Sequence, residues 1–188
     1  MEGLDIMIKN SFVRQFGVNK VTLLTFYFLL FTFYFPAYGQ EEYPKNVAAP
    51  PIKALTKDDK TLLEAVKDVK KRLVLAVQLM ESRLTNAEAL SAEEDYAEMF
   101  KEMGFFHAIM DNTLNFLERN NIGSSKILNS YKRFEMKLRS FIGRIEIIRR
   151  ELPPRYEYYV RTLVKAVRDA RSRAVAPLFD DSVVPSQT

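Results

Sequence analysis

Across residues 58–177 the apolar positions recur at alternating steps of four and three, with polar and charged residues filling the places between them. That is the spacing of helices that pack side by side at a shallow crossing angle. Four stripes can be followed. The first runs Leu62, Val66, Val69, Leu73, Ala76, Met80, and the second Ala92, Tyr96, Met99, Met103, Phe106, Met110, Thr113, Leu117. The third is the most regular: Ile127, Tyr131, Phe134, Leu138, Phe141, Ile145, Ile148, Leu152. The fourth is Tyr156, Val160, Leu163, Val167, Ala170, Ala174. Four amphipathic helices can bury such stripes against one another. The predicted fold is therefore all-α, an antiparallel up-down-up-down four-helix bundle with coiled-coil-like heptad packing over residues 57–178.

Boundary signals divide the stripes. Ser91 followed by Glu94 reads as a capping box opening the second helix, Asn121-Ile122-Gly123 closes it, and Ser124 can cap the third. Pro153-Pro154 stops the third helix, and Pro154 can open the fourth from its first turn, where a missing amide donor costs nothing. Connections this short predict antiparallel neighbours.

The first 39 residues have a different pattern. Lys9, Arg14 and Lys20 precede an uncharged run over 21–35, which leads into Pro36-Ala37-Tyr38-Gly39 and then Gln40-Glu41-Glu42. A basic region, an apolar run and small residues at −3 and −1 of a cut after Gly39 are the order of a secretory signal. Met7 offers a second start that shortens the basic region. An uncleaved anchor is the competing reading, since 21–38 is eighteen residues and a span needs about twenty. The first reading makes the protein secreted or periplasmic, the second N-terminally membrane-anchored, and both place the helices outside the cytoplasm. Residues 40–56 contain Pro44, Pro50 and Pro51 with no apolar period, which predicts an extended tether outside the core. Residues 179–188 are unpatterned and predict a flexible tail.

Composition narrows the chemistry. With 47% hydrophobic and 28% charged residues in 188, the chain has what one folded domain needs. The absence of Cys excludes disulfides, thiolate zinc sites, covalently attached haem and a cysteine nucleophile. None of the 28 seam positions is charged and no Glu-x-x-His occurs, which argues against a di-metal carboxylate site. The single histidine, His107, flanks the second stripe between Phe100 and Leu114. An axial haem ligand would need an opposing Met. Folding the chain at its loops instead places Lys70, Lys137 and Asp169 at that level, and Met103 and Met110 share His107's own helix. His107 is read as a flanking residue with a solvent or acidic contact, and no metal, cofactor or catalytic residue is expected. Met80, Met99, Met103 and Met110 are read as core filler among aromatics, with a soft pocket for an apolar ligand as the alternative.

Charge is asymmetric. Residues 40–122 carry 11 Lys and Arg against 15 Asp and Glu, whereas 123–177 carry 14 against 5. Helix dipoles and pairing between neighbours absorb part of this, but Lys132, Arg133, Arg139, Arg150, Arg161, Lys165 and Arg168 all fall off the seam. They form the candidate surface for an anion or an acidic partner. Arg155 and Tyr158, in the turn before the fourth helix, form a second candidate patch. The function expected is a non-enzymatic, exported binding or scaffold module that contacts an acidic protein or polyanion through its basic C-terminal hairpin. A small-ligand or cofactor carrier using the Met and aromatic interior of the second helix is the alternative. Nucleic acid is excluded as a partner by export, and membrane contact is expected only through an uncleaved N-terminus or anionic lipid.

Overall fold

Two capping residues, Thr56 and Asp68, split the first predicted helix in two. The Thr56 hydroxyl accepts the Asp59 amide at 3.0 Å and opens α1, Lys57–Ala65. The Asp68 carboxylate accepts the Lys71 amide at 2.9 Å and opens α2, Val69–Ala92. Between them Val66 has extended backbone, φ −95° and ψ 105°. The computed structural model describes residues 46–120 and 124–179, all in the unit Pro44–Thr188. The predicted signal or anchor, the turn at 121–123 and the tail from 180 lie outside the described residues. Three more helices follow, α3 Tyr96–Glu118, α4 Ser125–Glu151 and α5 Pro154–Val175, and then one 3-10 turn, Ala176–Leu178. The regular structure among the described residues is all-helical, five α-helices and no strand.

The third and fourth stripes are buried as read, from Ile127 to Leu152 and from Val160 to Ala174, with Tyr156 half-buried. Ser124 caps α4 through the Ile127 amide, and Pro154 is the first residue of α5. The first stripe needs correction. Leu62 is 49% exposed and Leu63 is buried in its place, Val66 is in the break, and the buried face of α2 continues past Met80 through Leu84 and Ala87. The Ser91–Glu94 capping box is also corrected. Ser91 lies in the last turn of α2, Glu94 takes the left-handed region at φ 59°, and the cap of α3 is Asp95, which accepts the Glu98 amide. Ala92, read as a seam position, is exposed.

Helices α2 and α3 pack together, as do α4 and α5, and the two pairs meet along α2 with α4 and α3 with α5. Within each pair the chain reverses: Arg72 meets Asn112 and Arg83 meets Glu102, while Arg171 meets Glu135 and Arg149 meets Glu157. Between the pairs it does not. Lys126 meets Asp68 at the starts of α4 and α2, and Arg144 meets Glu81 and Glu88 further along both. Likewise Tyr156 stacks on Tyr96 at the starts of α5 and α3, and Arg173 meets Glu118 at their ends. Helices joined by a short turn thus reverse within each pair, whereas α2 and α4, joined through a whole intervening helix, run in the same direction.

Residues 46–56 carry no helix, yet they do not lie free. Ala48 donates its amide to the Arg155 carbonyl at 2.8 Å, Ala48 and Leu55 pack against the core, and Lys53 reaches Asp111 at 2.6 Å. Buried Asp59 then accepts from Arg83, whose guanidinium also reaches Glu102 and lies over Phe105. Phe105 is half-buried under that guanidinium.

Candidate functional site

Three of the five acids of α4 and α5, Glu135, Glu146 and Glu157, are engaged by nearby arginines. Glu135, buried on α4, accepts from Arg171 at 2.6 Å and Arg139 at 2.9 Å, and these bonds hold its carboxyl below the usual carboxylate range. Glu146 accepts from Arg149 at 2.6 Å and Arg168 at 2.9 Å, with the Arg149 bond the main cause of a similar depression. Acids of α2 and α3 take further cations from the same hairpin, as Arg144 lies between Glu81 and Glu88, and Arg173 reaches Glu118.

Of the seven predicted surface cations, Arg139 and Arg168 are therefore ion-paired. Lys132, Arg133, Arg150, Arg161 and Lys165 are exposed and form no ion pair among the described residues. They do not form one patch. Lys132 and Arg133 line the cleft where α4 meets α2, whereas Arg161, Lys165 and Arg168 follow one another at i, i+4 and i+7 on α5. The Arg155 guanidinium lies 4.7 Å from the Tyr156 ring centroid and that of Arg161 5.3 Å from Tyr158. Tyr158 is half-buried rather than outward, so the second patch is an arginine-covered turn.

Sequence reasoning missed the cations that join Lys132 and Arg133. Lys70 and Lys126 line the same cleft, and Lys137 lies one turn along. A signal was present. The first turns of α2 and α4 contain no acid, and Lys70, Lys71 and Lys126 sit there against the positive ends of both dipoles.

His107 sits with its Nε2 3.9 Å from the Asp111 carboxylate, the one that receives Lys53. Burial lowers its pKa; Asp111 opposes that shift and the Lys53 charge adds to it. Among the described residues no group of three or more acids and histidines is placed to hold a metal. Met80, Met99, Met103 and Met110 are each at most 1% exposed and belong to the continuous core. Among the described residues no helix is long and apolar enough to cross a membrane.

No family model, curated protein or solved structure matches the chain.

Proposed function

We propose that this protein is an exported, non-enzymatic binding module, an up-down-up-down four-helix bundle packed through heptad seams, that holds an acidic partner on its basic surface. The observation that carries this reading is the set of exposed cations on α4 and α5 that form no ion pair among the described residues: Lys132, Arg133, Arg150, Arg161 and Lys165. Dipoles explain only Arg150, in the last turn of α4; Arg161 and Lys165 lie mid-helix in α5, beyond the terminal turns where a dipole acts. The basic N-terminal region and apolar run support a location outside the cytoplasm, secreted or periplasmic if cut after Gly39 and anchored if not. The partner is then an acidic protein, an acidic polymer or an anionic headgroup surface. The carrier alternative draws less support, because the methionines it needs are packed into the core.

Exposed charges are screened beyond about 8 Å at physiological ionic strength, so binding should be strong only at low salt. Co-sedimentation with polyglutamate-coated beads is expected to fall steeply as salt rises, and to fall again when Arg161, Lys165 and Arg168 are changed together to Gln. Absence of binding at low salt, or binding indifferent to both salt and substitution, overturns the reading.

A further inference from the structure

The parallel pairing of α2 and α4 leaves a cleft between them of about 600 Å³. Its floor is apolar. Leu73 is buried at the base, Val77 is half-buried, and Val74 and Met136, which line the walls, are 44% and 59% exposed. Arg133 and Lys137 stand on the α4 edge one turn apart, no acid lines this stretch, and neither cation meets a carboxylate among the described residues. Toward the helix starts the cleft continues to Lys70, Lys126 and Lys132. The one acid there, Asp68, is engaged by Lys126 at 2.6 Å and by the Lys71 amide. In the other direction it continues past Gln78 to Glu81, whose carboxylate Arg144 engages, and on to Ser82 and Thr85. The α2 edge thus extends from Lys70 to Thr85, about 22 Å or four turns of helix.

We propose that this cleft docks an acidic amphipathic helix of a partner protein. The inference rests on the basic-surface reading above and adds to it a location and a partner class. An apolar stripe on such a helix would cover Leu73, Val74, Val77 and Met136, and carboxylates beside the stripe would meet Lys70, Arg133 and Lys137. Charge complementarity favours this occupant. Two parallel dipoles put their positive ends at the Lys70 end of the cleft with no acid in either first turn, so the site attracts negative charge before any contact forms. A bilayer surface fits less well, because its plane cannot enter a cleft whose floor is the buried Leu73. A single anionic headgroup could answer the charge at one level, whereas the cations are distributed over successive turns.

The test uses a fluorescent helical peptide of three heptads with Leu at the a and d positions and Glu beside them. A scrambled peptide of the same composition, polyglutamate and phosphatidylglycerol vesicles are measured alongside it. The striped peptide is expected to bind about tenfold more tightly than the scrambled one. Arg133→Glu with Lys137→Glu should remove most of that binding, and Val74→Asp should abolish the preference for the stripe. All three positions are at the surface, and circular dichroism checks that the variants fold. Lys57→Glu with Lys101→Glu makes the same change in net charge away from the cleft and should alter the striped peptide's binding less than twofold. Equal binding of striped and scrambled peptides overturns the cleft and leaves the basic-surface reading standing. No binding of any acidic probe at low salt overturns both, and binding of vesicles but not of the striped peptide overturns the cleft in favour of a lipid surface.

Discussion

Gly104 and Ile52 meet so closely that a Cβ built on the glycine would lie 2.6 Å from the Ile52 carbonyl oxygen, and 3.2 Å from the Pro51 Cβ. The missing side chain on α3 is what lets the extended segment 46–56 lie against the helix. The nearest obstacle is backbone, which cannot rotate away as a side-chain tip would. Gly104→Ala gains about 1 kcal/mol of helix propensity but must move the segment that Lys53 and Ala48 also hold, so a net loss of stability is expected. Hydrogen exchange at the Ala48 amide should quicken. Gly143, exposed on α4 with nothing within 4 Å of an added Cβ, is the contrast, and Gly143→Ala should stabilise by about 0.5–1 kcal/mol. Urea midpoints that rank the two substitutions the other way would show that 46–56 does not seat on Gly104.

Phe141 lies at the centre of the core with no exposed surface, and its ring meets Phe106 edge-on with centroids 5.3 Å apart. Phe141→Ala should cost about 3–5 kcal/mol, through lost burial and the cavity left behind. Met136, five residues earlier and 59% exposed, should cost about 0.5 kcal/mol or less when changed to Ala. Chemical denaturation of the two variants checks the register of α4 directly.

The Tyr131 hydroxyl is buried in α4 and has no hydrogen-bond partner among the described residues. Burial pushes its pKa up. A buried donor left unsatisfied costs about 1–3 kcal/mol, so removing it should restore part of that. Tyr131→Phe is expected to match the parent or exceed it by about 1 kcal/mol, read from the urea midpoint. A clear loss of stability would show that the hydroxyl is bonded.

How far the stripes could be read depended on what surrounds them. The third and fourth stripes are bounded by Ser124 and Pro154, each with one structural role, and both helices appear where those residues put them. The first stripe failed between Val66 and Val69, because a step of three fits a continuous helix as well as a break. Only the Asp68 side chain, which bonds the Lys71 amide, distinguishes the two. At the turn between α2 and α3, Ser91-x-x-Glu94 and Asp95-x-x-Glu98 are both plausible caps from local chemistry. In the structure Asp95 is the cap, with Tyr96 stacked on Tyr156. The surface cations were legible as outward residues. Their partners were not, because a stripe says which face is buried and not which helix buries it. The Arg168–Glu146 pair and the cleft between α2 and α4 both follow from that second fact.

Glu135 gives the fold an acid-sensitive contact. Hydrogen bonds from Arg171 and Arg139 depress its pKa in the folded chain, so its contribution is present above the ordinary carboxylate pKa of about 4.3. It is lost as pH falls through the depressed value. Glu135→Gln should be clearly less stable than the parent at pH 7, and the gap between the two urea midpoints should narrow as pH falls below about 4.3. A difference that stays constant from pH 7 to pH 3 would mean that Glu135 acts through packing alone.

His107 should produce a second pH dependence, in a different window. It is the only histidine in the chain, so its proton resonances can be followed without assignment. Burial lowers its folded pKa from the ordinary value of about 6.5, and of the charges facing it Asp111 raises the value while Lys53 lowers it. The unfolded chain therefore binds a proton at a higher pH than the folded one. By linkage, the stability that the neutral ring confers is complete above about pH 6.5 and declines as pH falls through the folded value. The urea midpoint should fall between pH 7.5 and pH 5.5 in the parent and stay flatter in His107→Gln, which should fold normally. Lys53→Met removes the one cation among the described residues that faces the ring and leaves Asp111, so the His107 pKa should rise toward its ordinary value and the slope between pH 7.5 and 5.5 should shrink. An imidazole that titrates at or above pH 6.5 in the folded parent, or a Lys53 substitution that leaves the titration unmoved, would separate His107 from the Lys53–Asp111 contact and sink the prediction.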